Sequence, residues 1–269
     1  MTGAPSRVSP IYNGEGWIGG QWQAVKSWKT TAGYHIVIAD MEHFTVTTDG
    51  SSIVRLSETL PCSSPLLAEI VLGPVLLLAL ALNGIYCLHG SAVTRKDGTA
   101  IAFLGSSGAG KSTLGLFLGR HPTSLWKSIA DDVIALTLTE GRPFLLPDFP
   151  QLKWNHSEQS SLSTWSQLPL VRCYLLDASD VPQPVGVILH SPMNQRSAFQ
   201  TFVHHTHAAR LFDAKLLTYH LGFCDDVTRA VPVRRLQYPR CLASLPLVTE
   251  AVRRDLLVDI EAALPAADP

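Results

Sequence analysis

Thr99-Ala-Ile-Ala-Phe-Leu-Gly105-Ser-Ser-Gly-Ala-Gly110-Lys111-Ser112-Thr113-Leu-Gly-Leu-Phe-Leu118 is the stretch whose reading decides the fold. Its centre spells G-x-x-x-x-G-K-S. Thr99–Leu104 is an apolar run of strand length that ends at the first glycine, and Thr113–Leu118 continues with helix-compatible apolar residues. Strand, loop and helix in that order are the context a phosphate-cradling P-loop requires. In such a loop the glycines let backbone N–H groups turn inward around phosphate oxygens, and the following helix N-terminus adds partial positive charge. A lysine at position 111 reaches the β- and γ-phosphates, and a serine hydroxyl at 112 can ligate Mg²⁺. The expected nucleotide-binding residues are therefore Gly105, Ser106, Ser107, Gly108, Ala109, Gly110, Lys111, Ser112 and Thr113.

The rest of the 269-residue chain bounds the class. A hydrophobic content of 46% and a charged content of 16% predict a substantial core. A formal net charge of −1 gives no footprint for nucleic acid or for an anionic membrane surface. Cys62, Cys87, Cys173, Cys224 and Cys241 are scattered, odd in number and without C-x-x-C spacing. Three lie in apolar sequence, so reduced, buried thiols in a cytoplasmic protein are expected, and no charged-then-apolar signal segment opens the sequence. The apolar run Leu66–Asn83 is interrupted by Glu69 and by Gly73-Pro74, which predicts a buried helix entered at Pro74 rather than a membrane span.

Ile11 to Leu56 reads as β-structure, with Tyr34–Ala39, His43–Thr48 and Ser52–Leu56 as strands and Asp49-Gly50 as a tight turn. Cys87–Thr94 and Thr99–Leu104 flank Lys96-Asp97-Gly98, a strong hairpin signal. The strand feeding the loop is thus expected to pair with an antiparallel neighbour immediately before it. Ser128–Leu136 reads as a buried strand carrying Asp131 and Asp132. A Pro-punctuated loop, Leu146–Trp154, follows it, then strands at Val171–Leu176 and Val185–Leu189. From Ser197 onward the pattern is read as helical, ending in an amphipathic helix over Leu245–Ala263.

Two adjacent carboxylates inside an apolar strand are costly to bury unless paired or metal-bound. Downstream of a P-loop, one such acid can serve the metal beside Ser112 and the other can accept the proton of an attacking hydroxyl. His89 lies where the hairpin folds it back beside the loop-feeding strand, although on the residues alone a core histidine satisfied by backbone is the better reading. Lys153 is a candidate phosphate or acidic-substrate clamp, and Arg196 and Arg210 are candidates for an acceptor pocket. His204, His205 and His207 lack a carboxylate or thiol partner at metal-ligand spacing and are read as a helix face.

Taken together, Cys-Leu-His-Gly-Ser-Ala-Val (87–93), the Asp-Gly turn, Ala-Phe-Leu-Gly-Ser-Ser-Gly-Ala-Gly-Lys-Ser-Thr-Leu (102–114) and Ile-Ala-Asp-Asp-Val-Ile-Ala-Leu (129–136) carry a resemblance. In order and spacing they resemble the C-terminal kinase domain of the HPr kinase/phosphorylase family. They are more similar still to the HPr-kinase-like proteins of bacterial peptide-natural-product clusters, including lasso-peptide kinases, whose Pro-x-Tyr-Pro-x-Leu-basic-Leu-Trp stretch Leu146–Trp154 resembles. The resemblance covers about residues 66–176. It implies an α/β fold with a mixed sheet, of the HPr kinase and phosphoenolpyruvate carboxykinase type, spanning 66–269 behind a β-rich region over 1–65. It also implies ATP and Mg²⁺ as cofactors, with Lys111 on the phosphates and His89 at the active site. Asp131 becomes the acid that takes the hydroxyl proton, and Asp132, with Ser112, the metal-side ligand. The Glu-x-Arg-Gly-x-Gly-like signature of HPr kinases is absent after the Asp-Asp strand, so HPr is not the expected acceptor. A serine of a peptide or small protein is. A kinase of free alcohols and a non-transferring nucleotide-dependent regulator stand as alternatives, and self-association is left open. No nucleic-acid or membrane partner is expected.

Overall fold

A computed structural model describes residues 9–120, 125–147, 149–150, 166–179 and 188–263. The β-rich beginning forms a five-stranded antiparallel sheet in chain order: β1 (Tyr12–Ile18), β2 (Gln21–Thr30), β3 (Gly33–Ile38), β4 (Glu42–Val46) and β5 (Ile53–Arg55). In β3 and β4 the residues Ile36, Ile38, Phe44 and Val46 are fully buried, which is what β-branched and aromatic residues favour on a packed pleat. Glu42 is buried among them. Arg55 holds its carboxylate through Nε and Nη2, both at 2.8 Å, and the Leu60 N–H donates to it at 2.8 Å. Burial opposes its ionisation, but the Arg55 guanidinium and these hydrogen bonds prevail and keep the carboxyl below its ordinary range.

The apolar segment that follows is α1 (Pro65–Ile70), a wide irregular turn (Val71–Val75) and α2 (Leu76–Leu82). The helix therefore begins at Pro65, with Ser64 before it, and not at Pro74. Gly73, at φ −88° and ψ −117°, breaks the backbone where Pro74 brings no N–H to the ladder. Residues Pro65–Leu82 have a mean hydropathy of 2.3, long and apolar enough to cross a bilayer by length and composition. Leu67, Ile70, Val75, Leu77 and Leu78 are nonetheless buried against protein.

The second sheet has seven strands. They are β6 (Tyr86–Arg95), β7 (Ala100–Leu104), β8 (Trp126–Thr139), β9 (Arg142–Leu146), β10 (Leu168–Ser179), β11 (Ile188–Pro192) and β12 (Val233–Pro239), in the spatial order β11-β12-β10-β7-β6-β8-β9. β7 pairs antiparallel with β6 and parallel with β10, and β10 runs parallel to β12, so the sheet is mixed. The remaining α-helices among the described residues are α3 (Lys111–Arg120), α4 (Gln195–His205), α5 (Ala214–Ala230) and α6 (Leu245–Ala263).

Three expectations are corrected here. The region after Ser197 is not helical throughout, because β12 lies between α5 and α6 and pairs with β10. A further strand, β9, precedes the Pro-rich loop, and β10 is longer at both ends than Val171–Leu176. The strand expected over Val185–Leu189 begins, among the described residues, at Ile188. Residues 185–187, Lys153 and most of Leu146–Trp154 lie outside the described residues.

By compactness the chain forms two units, each from three segments: residues 1–88, 135–143 and 202–227, and residues 89–134, 144–201 and 228–269. In the first, His220 is almost wholly buried beside the rings of Tyr86 and Phe212. Thr206 Oγ1 lies 2.8 Å from its Nε2 and Cys224 Sγ 3.3 Å. In the second, Ile101 and Phe103 of β7, Leu114 and Leu118 of α3, Leu236 of β12, and Val248 and Val252 of α6 make one apolar core. Beside that core Asp255 of α6 meets Arg172 (Nε to Oδ2, 3.3 Å) and Arg234 (Nε to Oδ1, 3.0 Å), and accepts from Tyr174 Oη at 2.7 Å. Arg172 is 1% exposed, a buried cation the sequence reading did not single out.

Candidate phosphate-binding site

All five residues of β7 are buried, and the strand delivers the chain into Gly105. Gly105, Gly108 and Gly110 have φ of 153°, 77° and 89°, and α3 starts immediately at Lys111. At Gly110 the requirement for glycine is double. A side chain there would be strained by the positive φ, and its Cβ would stand 2.9 Å from Tyr238 Oη.

The loop is held from two strands, one on each side of β7: β6 beside it and β12 beyond β10. Ser91 Oγ of β6 donates to the Lys111 carbonyl at 2.8 Å, and Tyr238 Oη of β12 donates to the Ala109 carbonyl at 2.6 Å. Burial pushes the Tyr238 phenol up to about 12, against the opposing charge of Arg240, so it stays a donor at neutral pH. Lys111 is 6% exposed, and its Nζ donates to the Gly105 and Ser106 carbonyls, each at 2.9 Å. The ammonium is thus set inside the loop's own curve.

A cavity of about 240 Å³ opens on this loop. Ser107, Gly108 and Gly110–Thr113 line it, together with His89 of β6 and Asp132 of β8. Its size is below the roughly 300–1,000 Å³ of sites that enclose a whole small molecule, and suits a phosphate group with its counter-ion. His89 Nδ1 lies 3.6 Å from Asp132 Oδ1. Asp132 has φ 78°, a left-handed conformation inside a strand. Aspartate tolerates this region better than most residues, but the conformation is unfavourable and survives only where the surroundings impose it. Asp131 is 8% exposed and outside the cavity lining, while the Asp132 side chain is 38% exposed and faces in.

The structure thus brings His89, Lys111, Ser112 and Asp132 to one cavity and leaves Asp131 one residue behind it. Gly105, Ser106 and Ala109 belong to the loop but do not line the space. Arg196 is exposed on α4. Arg210 donates to Tyr12 Oη at 3.0 Å and to the Glu15 carbonyl at 2.7 Å on β1, a contact that covers part of a sheet edge. His204 and His205 stack edge-on at the end of α4, 5.1 Å between centroids. Among the described residues no group of three or more His, Cys, Asp or Glu side chains is arranged to hold a metal ion. Sequence reading missed Ser91, Tyr238 and Arg240. The Pro232-to-Pro239 run with Val233, Leu236 and Tyr238 was the available strand signal, masked by Arg234-Arg235.

No family model matches the chain, and no curated protein sequence matches it. Among solved structures it is similar to the HPr(Ser) kinase/phosphatase from Coxiella burnetii. The identity is 13% and the TM-score 0.35, over 65% of this chain and 98% of that one. At this level of similarity nothing about activity transfers, and function is read from this chain's own geometry.

Proposed function

We propose that the protein is an ATP-dependent phosphotransferase that moves the γ-phosphoryl group to a hydroxyl, a serine of a peptide or small protein. The observation that carries the reading is the convergence of Lys111, Ser112, His89 and a backbone-strained Asp132 on one phosphate-sized cavity over a glycine loop. The sequence resemblance in residues 66–176 points the same way. The residues fit the nucleotide's phosphates, because Lys111 is folded into the loop and lines the cavity together with Ser112 and the glycine backbone.

In this reading the bond from the β,γ-bridging oxygen to the γ-phosphorus breaks, and a bond from the acceptor oxygen to that phosphorus forms. The hydroxyl proton passes to a carboxylate of the Asp131-Asp132 pair, Asp132 being the one that lines the cavity and Asp131 the one the resemblance implies, and the nucleoside diphosphate leaves. Bound Mg²⁺ would neutralise charge on the β- and γ-oxygens, with Ser112 and Asp132 as its ligands. Lys111 offsets phosphate charge, the loop N–H groups orient the chain, and His89 fixes the Asp132 carboxylate. Positioning and charge stabilisation supply most of the rate.

The test uses calorimetry with MgATP and mass spectrometry on a candidate precursor peptide. Lys111→Ala should weaken ATP binding at least tenfold, about 1.4 kcal/mol. Asp132→Asn should raise the Mg²⁺ requirement, and Asp131→Asn should keep ATP binding while losing transfer. Unchanged ATP affinity and turnover in Lys111→Ala would remove the reading. Transfer to a free alcohol alone would replace the peptide acceptor.

A further inference from the structure

The parallel strands β7, β10 and β12 end side by side, and in sheets of this kind ligands gather at the carboxyl ends of the strands. Arg240 stands there, on the turn just after Pro239. Its Nη2 donates to the Ala178 carbonyl near the end of β10 at 3.3 Å. Its Nη1 lies 3.4 Å from the point a Cβ on Gly108 would occupy, so the guanidinium stands beside the loop at Gly108.

The charge balance of the cavity gives this placement a meaning. Lys111 is the single Lys or Arg among the described residues lining it, and Asp132 contributes a negative charge. A polyphosphate brings several more negative charges. One ammonium that is already shared between two carbonyls is a small counterweight, and Arg240 is a cation beside the same loop. Its charge is felt locally, since it opposes the upward push on the Tyr238 phenol.

Resting on the phosphotransferase reading, we propose that Arg240 is a second phosphate-binding residue. It would fold over the polyphosphate chain from the Gly108 side of the loop, complementing Lys111 inside. A guanidinium suits this task. Its five N–H donors in a planar fork can keep the Ala178 carbonyl and grip a pair of phosphate oxygens. The end of β12 then supplies both a brace for the loop, through Tyr238, and a cation for its ligand.

The experiment compares wild type, Arg240→Ala, Arg240→Lys and Lys111→Ala by calorimetry with two probes, MgATP and inorganic tripolyphosphate with Mg²⁺, alongside thermal melts. Arg240→Ala should weaken both probes by a similar factor of about ten. Arg240→Lys should recover part of the loss, because an ammonium keeps the charge without the fork. Loss of ATP affinity with unchanged tripolyphosphate affinity would overturn the proposal in favour of a contact to the base or ribose. A lowered melting temperature with both affinities intact would reduce Arg240 to a structural brace and also overturn it. If Arg240→Ala does not fold, the Lys variant decides, and wild-type affinity for both probes there counts against the fork. Undiminished ATP binding in Lys111→Ala would instead strike the underlying reading, whatever Arg240 does.

Discussion

Gly110→Ala is the sharpest perturbation of the loop, because two separable costs meet in one methyl group. The residue sits at φ 89°, where an L-residue loses about 1–2 kcal/mol. The added Cβ would also stand 2.9 Å from Tyr238 Oη, closer than real Cβ contacts allow. The phenol must then move away from the Ala109 carbonyl it holds at 2.6 Å, and losing a buried hydrogen bond costs a further ~1–2 kcal/mol. The sum is about 2–4 kcal/mol. Gly141→Ala isolates the first cost, since Gly141 has φ 72° and nothing within 4 Å of its Cβ position. Tyr238→Phe isolates the second. Melting temperatures read by differential scanning fluorimetry should rank Gly110→Ala lowest, with Gly141→Ala and Tyr238→Phe between it and wild type. At about 2–4 °C per kcal/mol the Gly110 variant should lose roughly 4–16 °C. Its affinity for MgATP should fall at least tenfold, while Gly141→Ala leaves affinity unchanged. Equal destabilisation by the two glycine variants would refute the contact argument, and wild-type ATP affinity in Gly110→Ala would refute the loop's role.

Two further outcomes follow from buried ionisable groups. Burial lowers the His220 imidazole from 6.5 to about 4, so the folded state binds fewer protons than the unfolded chain between those values. Its stabilisation is complete above pH 6.5 and declines as pH falls toward 4, with about 2 kcal/mol gone by pH 5. The stability gap between wild type and His220→Gln should therefore narrow by about that amount between pH 7.5 and 5, and a constant gap would show that the ring is not held neutral. Asp255→Asn leaves the Arg172 charge, 1% exposed, facing a neutral amide, and should cost about 3–5 kcal/mol in thermal or urea unfolding. A loss below about 1 kcal/mol would mean that Asp255 is not the essential counter-charge of this network.

The parts of the fold legible in the sequence are those specified locally. Glycine spacing dictates the loop, Asp97-Gly98 dictates the hairpin, and alternation dictates the first sheet. The parts that escaped depend on distant partners. β12 was obscured because Arg234 interrupts its apolar pattern, and the reason a charge is tolerated there is Asp255, on a helix later in the chain. β9 follows a Glu140-Gly141 turn in which both residues have positive φ, a conformation that Asn-Gly or Asp-Gly would have announced more clearly. The helix start at Pro65 was readable from Ser64-Pro65, but Gly73-Pro74 offered a competing start and proved to be a break. At the candidate site the residue types were readable and the strain was not. Nothing in Ala-Asp-Asp-Val says which acid turns into the left-handed region, because packing around the strand imposes that choice.

The placement of His89 shows how a local signal reaches a remote site. The pairs Thr94↔Ala100 and Gly90↔Leu104 fix the antiparallel register of β6 against β7. By that register His89 falls beside Gly105, the first residue of the loop. The register is set at the other end of the hairpin, about 20 Å away at roughly 3.3 Å per residue. There Gly98 turns at φ 80°, Arg95 N–H donates to the Thr99 carbonyl at 2.9 Å, and Asp97 Oδ1 accepts from both the N–H and the hydroxyl of Thr99. A slip of one residue would turn every β6 side chain to the opposite face. His89 would leave the cavity, and the Ser91 hydroxyl would lose the Lys111 carbonyl. The Asp-Gly turn therefore does more than join two strands: it fixes which face of β6 meets the loop, and with it the contact between His89 and Asp132.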